Sequence, residues 1–139
     1  CKEIRSILIV VDTNVVAYFV IEGEKTQAAR NLRATESSWV VPNLLKYEFL
    51  NVLATYCRHG GMTIKEAEML LRSIDQTLGL EFSETDSLES LQLAVENNIS
   101  AYDAHFISLA MTIGVPLVTA DKKLIRIFPQ IAVPLSKWS

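Results

Sequence analysis

The sequence predicts an α/β protein, a mainly parallel sheet flanked by helices on both faces. Short apolar runs alternate with longer helical patterns along the chain. The first run, Ile7-Leu8-Ile9-Val10-Val11, is apolar at every position. That suits a strand buried on both faces of a parallel sheet, not the alternating pattern of a half-exposed one. Helix-opening and helix-closing residues recur between the runs, as right-handed crossover connections require.

The elements follow in order. Residues 7–11 form the first strand. Asp12-Thr13-Asn14 ends it, and a helical stretch follows. Residues 24–34 make a polar helix with apolar Ala28, Ala29 and Leu32. Residues 38–41 read as a second strand. Pro42 suits the first turn of the next helix, where its missing N–H costs nothing. That helix runs to about Arg58, and Gly60-Gly61 stops it. Thr63 and Glu66 have capping-box spacing and open a helix to about Leu78. Leu80-Glu81-Phe82 is the third strand. Residues 87–96 form a helix closed by Asn97-Asn98. Ser100 caps the next, which ends at Ile113 with Gly114 in the stop position. Residues 115–119 form the fourth strand, 121–127 a short helix, and 131–133 an edge strand before Pro134.

The chain has 139 residues, which suits a single domain over 1–139 with a sizeable core. No stretch approaches the roughly 20 apolar residues that span a bilayer. No signal-peptide core stands near the start either, so the expectation is a cytoplasmic protein with no membrane partner. Cys1 stands where Met is ordinary, which suggests a start inside a longer gene product. Two cysteines, Cys1 and Cys57, make neither a disulfide framework nor a zinc spacing. Cys57 reads as a small core hydrophobe. No Gly-rich phosphate loop is present, which argues against nucleotide binding of the Rossmann or Walker kind. The net charge of −3 lacks the basic footprint of most nucleic-acid binders. Small basic clusters remain at Lys25, Arg30 and Arg33, at Arg58 and His59, and at Lys122, Lys123 and Arg126; solvated faces account for them.

Open α/β sheets place ligands beyond the carboxyl ends of their strands. Asp12 directly follows the first strand, and Asp121 follows the fourth. Asp103 lies in the first turn of a helix that runs back antiparallel to the fourth strand, so it starts at the same edge. Glu48 lies about two turns into the helix leaving the second strand, roughly 9 Å from its start at 1.5 Å per residue. Its side chain leans back toward that start. Capping offers Asp12, Asp121 and Asp103 a structural role. Glu48 has none of that kind and sits in a mostly apolar arc, where a glutamate is seldom buried unpartnered. Two carboxylates 4 Å apart repel by about 4 kcal/mol at an effective dielectric near 20. Four in one crevice therefore call for protons or cations. Oxygen-only ligands suit hard ions such as Mg²⁺ or Mn²⁺. His59 and His105 are placed away from that set.

The motifs Val11-Asp12-Thr13-Asn14-Val15, Tyr47-Glu48-Phe49-Leu50-Asn51-Val52-Leu53, Tyr102-Asp103-Ala104 and Leu117-Val118-Thr119-Ala120-Asp121-Lys122-Lys123-Leu124 occur in this order. Together they resemble the PIN-domain nucleases over nearly the whole chain. The resemblance implies a PIN-like fold with a mainly parallel five-stranded sheet. It implies Mg²⁺- or Mn²⁺-dependent endoribonuclease activity with Asp12, Glu48, Asp103 and Asp121 as catalytic and metal-holding residues. The single-domain size resembles the VapC toxins of type II toxin–antitoxin pairs, which implies an RNA substrate, a cognate antitoxin and a homodimer.

In this reading Asn14 and Thr119 hydrogen-bond the metal-holding carboxylates, and Lys122 and Lys123 contact RNA phosphates. Glu48 either completes the metal shell or positions the attacking water. Two rivals stand beside it. One is a non-catalytic partner-binding module on the same fold. The other is a phosphoacceptor signalling domain of flavodoxin-like topology, which would want paired acids after the first strand, where Asp12 stands alone.

Overall fold

A computed structural model describes residues 8–139. The expectations placed on Cys1 and Ile7 lie outside the described residues. Five strands form one all-parallel sheet: β1 (Leu8–Val11), β2 (Ser38–Pro42), β3 (Glu81–Ser83), β4 (Leu117–Thr119) and β5 (Ala132–Pro134), in the order β3-β2-β1-β4-β5. The expected α/β class is the observed one. Val10 and Val11 of β1, Val40 and Val41 of β2, and Leu117 and Val118 of β4 have no exposed surface. A sheet covered on both faces explains why these strands are continuously apolar.

The helices are α1 (Thr13–Val20), α2 (Thr26–Thr35), α3 (Leu45–His59), α4 (Ile64–Gln76), α5 (Ser87–Asn97), α6 (Ala101–Ile113) and α7 (Lys122–Ile127), with a closing 3₁₀ turn at Leu135–Trp138. From β1 the chain steps outward to β2 and β3, then returns across the sheet to β4. Right-handed crossovers therefore place α1 to α4 on one face and α5 and α6 on the other. Helix α6 packs across β1, β2 and β4. Phe106 and Ile107 of α6 and Val15, Val16 and Phe49 of α1 and α3 are buried in the core.

Several boundaries moved for local reasons. Pro42 ends β2 and does not open α3. The N–H of the next residue, Asn43, reaches the Ser83 carbonyl of β3 at 3.0 Å. N–H groups alternate sides along a parallel strand, so the donor Pro42 lacks faces β1, where pairing has already ended at Val10–Val40. Helix α3 consequently starts at Leu45, and Glu48 lies in its first turn, not two turns in. Helix α2 starts at Thr26, whose buried hydroxyl donates toward the Tyr18 and Ile21 carbonyls and accepts from Gly23 N–H at 2.9 Å. Gly114 adopts φ 77°, and the following Val115 N–H closes α6 onto the Ala110 carbonyl at 3.1 Å, which shortens β4 to Leu117–Thr119. The Thr63–Glu66 capping box forms in full.

Cys57 is half-buried and lines a pocket between α3 and α4, so it is not a core residue. Arg33 is not part of a solvated face. Its guanidinium lies 4.7 Å from the Trp39 ring and donates to the Leu78 carbonyl.

Candidate active site

Strand order reverses direction at β1 and β4, so the crevice beyond their carboxyl ends is the topological switch point where such sheets hold ligands. A cleft of about 560 Å³ occupies it, and Asp12, Glu48, Asp103 and Asp121 all line it. Four separate chain segments deliver them: the β1–α1 junction, the first turn of α3, the first turn of α6, and the β4–α7 junction.

Capping and site placement turn out to be one arrangement. Asp12 caps α1, accepting Val15 N–H on Oδ1 at 3.0 Å. Its Oδ2 accepts from the Thr119 hydroxyl. Asp121 caps α7 with Oδ1, which accepts Lys123 N–H at 2.9 Å and Leu124 N–H at 3.2 Å. Thr119 Oγ1 also accepts Asp121 N–H at 2.9 Å. This fully buried threonine thus ties the two strand-end acids together. Ser100 Oγ accepts Asp103 N–H at 3.0 Å, which sets the start of α6.

Sequence reasoning passed over Thr13. Its hydroxyl donates to Glu48 Oε1 at 2.6 Å, and the residue is 6% exposed. The one signal available was its position beside Asp12, because its partner lies 35 positions away. Asn14 lines the cleft as an exposed side chain. Tyr47, Asn51 and Tyr102 also line it.

The acids feel one another. Burial pushes the Asp12 carboxyl up to about 6; hydrogen bonds from Thr119 and Val15 oppose the shift, and the charges of Asp103 and Asp121 add to it. Burial likewise raises Glu48, against the Thr13 hydrogen bond and with the Asp103 charge. Burial and then the Asp121 charge raise Asp103, while Ser100 and Lys123 pull it down. These are carboxylates short of positive charge, and their all-oxygen chemistry fits a hard divalent cation. Among the described residues, however, no three Asp, Glu, His or Cys side chains stand as a preassembled metal-ligand group. The four acids ring the cleft without closing on one point.

Other expected residues sit outside. Lys123 Nζ donates to the Asn98 carbonyl at 2.7 Å. Lys122 lines a separate pocket with Lys25, Ile125 and Ser136. His105 is held by the hydroxyls of Thr85 and of Ser90, the latter at 3.2 Å.

The sheet order and this acid-ringed cleft define an α/β domain with a carboxylate site at its switch point. The family model of the PIN domain matches residues 9–128, and the chain belongs to that family. The chain is similar to Ribonuclease VapC3 of Pyrobaculum aerophilum, 26% identical over 129 residues that cover 91% of this chain and 98% of that protein. Its fold is similar to that of PAE2754 from Pyrobaculum aerophilum, with TM-score 0.76 and 21% identity over 95% of this chain and 86% of the other. It is also similar to a toxin-antitoxin complex from Klebsiella pneumoniae, with TM-score 0.63 and 16% identity over 91% of this chain and 97% of the other.

Proposed function

We propose that the protein is an endoribonuclease that hydrolyses RNA phosphodiester bonds with Mg²⁺ or Mn²⁺ bound among Asp12, Glu48, Asp103 and Asp121. The observation that carries this reading is the convergence of four carboxylates from four segments on one cleft, with burial raising the proton affinity of Asp12, Glu48 and Asp103. Membership of the PIN domain family supports it, as does the likeness to a relative named a ribonuclease. The observed strand order differs from the 2-1-3-4-5 order of flavodoxin-like receivers, which disfavours the phosphoacceptor rival.

The division of labour follows from the hydrogen bonds. Thr119 and the α1 and α7 amides fix Asp12 and Asp121 as the rigid pair at the strand ends. Asp103 completes the set that would hold the cation. A cation there supplies positive charge against the phosphoryl oxygens and lowers the pKa of water. Glu48, anchored through one oxygen by Thr13, has its other oxygen left, which would help hold the cation or position the attacking water. Asn14 lines the cleft with an exposed side chain, from which it would hydrogen-bond a bound strand or cation-held water. Lys122 and Lys123 are not among the described lining residues of the cleft, and from beside it they would contact phosphates without reading sequence.

The protein would act as the toxin of a toxin–antitoxin pair, held in check by a cognate antitoxin; the likeness to a toxin-antitoxin complex supports this. A homodimer belongs to the same reading. The exposed stripe Leu88, Leu91 and Val95 on α5 supports a protein partner on that face.

The test is cleavage of RNA with Mg²⁺ by the wild type, Asp12→Asn and Glu48→Gln. Both variants are expected to lose at least 100-fold in rate, on the order of what a misassembled metal site costs. Undiminished cleavage by both would remove the proposed site. Millimolar Mn²⁺ is expected to raise the unfolding midpoint of the wild type and not of Asp12→Asn.

A further inference from the structure

The described residues lining the acidic cleft include no lysine and no arginine. Phosphate contacts by those residues ordinarily supply much of the affinity for nucleic acid. The two cations next to Asp121 do not fill the gap. Lys123 donates to the Asn98 carbonyl and its charge reaches Asp103 from outside the lining, and Lys122 opens onto a different pocket.

The cleft offers aromatic faces instead. Tyr47 is 73% exposed and Tyr102 is 63% exposed, and both line the cleft. Each immediately precedes an acid, Glu48 on α3 and Asp103 on α6, so they stand on two different walls. Asn51 is one turn beyond Tyr47 on the same side of α3, also lines the cleft and is exposed. Its carboxamide carries both donors and an acceptor. Phe106, one turn beyond Tyr102, gives the cleft a buried apolar floor. Tyrosines left this open contribute little to the core, while a flat ring beside a nucleotide-sized cleft is a platform on which a base stacks.

We propose that Tyr47 and Tyr102 are the stacking platforms for the bases that flank the scissile phosphate. The cleft then takes single-stranded RNA and holds it through its bases, with backbone charge a minor contributor. This rests on the nuclease reading of the same cleft. Paired bases in a duplex are stacked on one another and present no free face, so double-stranded RNA is excluded. Asn51 meets base edges from the α3 wall.

The experiment measures binding of a fluorescent, unstructured RNA oligonucleotide to Glu48→Gln protein in Mg²⁺, where the strand stays uncut. Tyr47→Ala and Tyr102→Ala, added singly to that parent, are each expected to weaken binding about five- to 100-fold. Tyr47→Phe and Tyr102→Phe are expected to stay within about twofold, since the ring is kept. The same sequence as a duplex is expected to bind at least tenfold more weakly. Raising salt from 50 to 200 mM is expected to cost about tenfold or less, against the roughly 300-fold or more of a single-strand binder with six or more phosphate contacts. Alanine variants that bind like their parent, equal binding of the duplex, or a steep salt dependence each overturn the proposal, as does a parent that binds no RNA. A strand that binds through the tyrosines yet is not cleaved by the wild type leaves the stacking intact and removes the nuclease reading.

Discussion

Thr13 Oγ1 donates to Glu48 Oε1 at 2.6 Å and so fastens the start of α1 to the start of α3. Asp12, one residue earlier, is fixed by the same turn. The bond therefore sets the spacing between two of the four acids and leaves one oxygen of Glu48 for chemistry. Thr13→Val keeps the shape and removes the donor. We expect it to lower the cleavage rate 10- to 100-fold, the usual cost of losing a group that orients a metal ligand. Thr13→Ser should restore most of that rate. Steady-state kinetics on the three proteins decides; equal rates for Val and wild type would dissociate the hydroxyl from activity.

Thr119 holds two partners at once, the Asp12 carboxylate and the Asp121 N–H, from a fully buried position. Thr119→Val leaves both without it. An unsatisfied buried polar group costs about 1–3 kcal/mol. Urea unfolding of the metal-free protein should report a loss of that size with an unchanged m-value.

The raised Asp12 pKa has a consequence for stability. A carboxyl titrating near 6 in the folded chain and near 3.8 when unfolded binds its proton more tightly in the folded state. Its stabilising contribution is complete below about pH 4 and is lost as pH rises through about 6. Glu48 and Asp103 shift in the same direction. With chelator present, wild type should therefore gain stability relative to Asp12→Asn as pH falls from 7 to 5. Chemical denaturation of both proteins at the two pH values measures the difference. A wild type that gains nothing on Asp12→Asn, or loses ground to it, as pH falls would contradict the burial of an uncompensated charge at Asp12.

Helix α4 tests the local grammar of the sequence. Thr63 Oγ1 accepts Glu66 N–H at 3.1 Å, and Glu66 Oε1 accepts Thr63 N–H at 3.1 Å. Thr63→Ala should cost about 1 kcal/mol in thermal or urea unfolding. Cleavage should be unaffected, because this box lies away from the cleft.

Phe49 packs without exposed surface one residue beyond Glu48. Phe49→Ala should cost about 3–5 kcal/mol, the range for truncating a buried aromatic. Activity measured on the folded fraction should also fall, since the same helical turn carries Glu48.

The parallel α/β class, most helix caps and the candidacy of all four acids are legible along the chain. Those signals are local. A continuous β-branched run marks a doubly covered strand, Thr63 with Glu66 marks a helix start, and an acid just past a strand lies at the carboxyl edge whatever its partners. The place of Pro42 was not legible, because a proline fits a helix start or a strand end equally well until the ladder direction is known. That single boundary moved Glu48 from two turns deep to the first turn of α3. Which groups meet is set by packing: Thr13 with Glu48 across 35 positions, and Thr119 with Asp12 across 107. It also separated Lys122 from the cleft and set Tyr47 and Tyr102 on its walls. Such contacts depend on how helices lie over the sheet, and side-chain partners chosen by that packing leave no periodic trace along the chain.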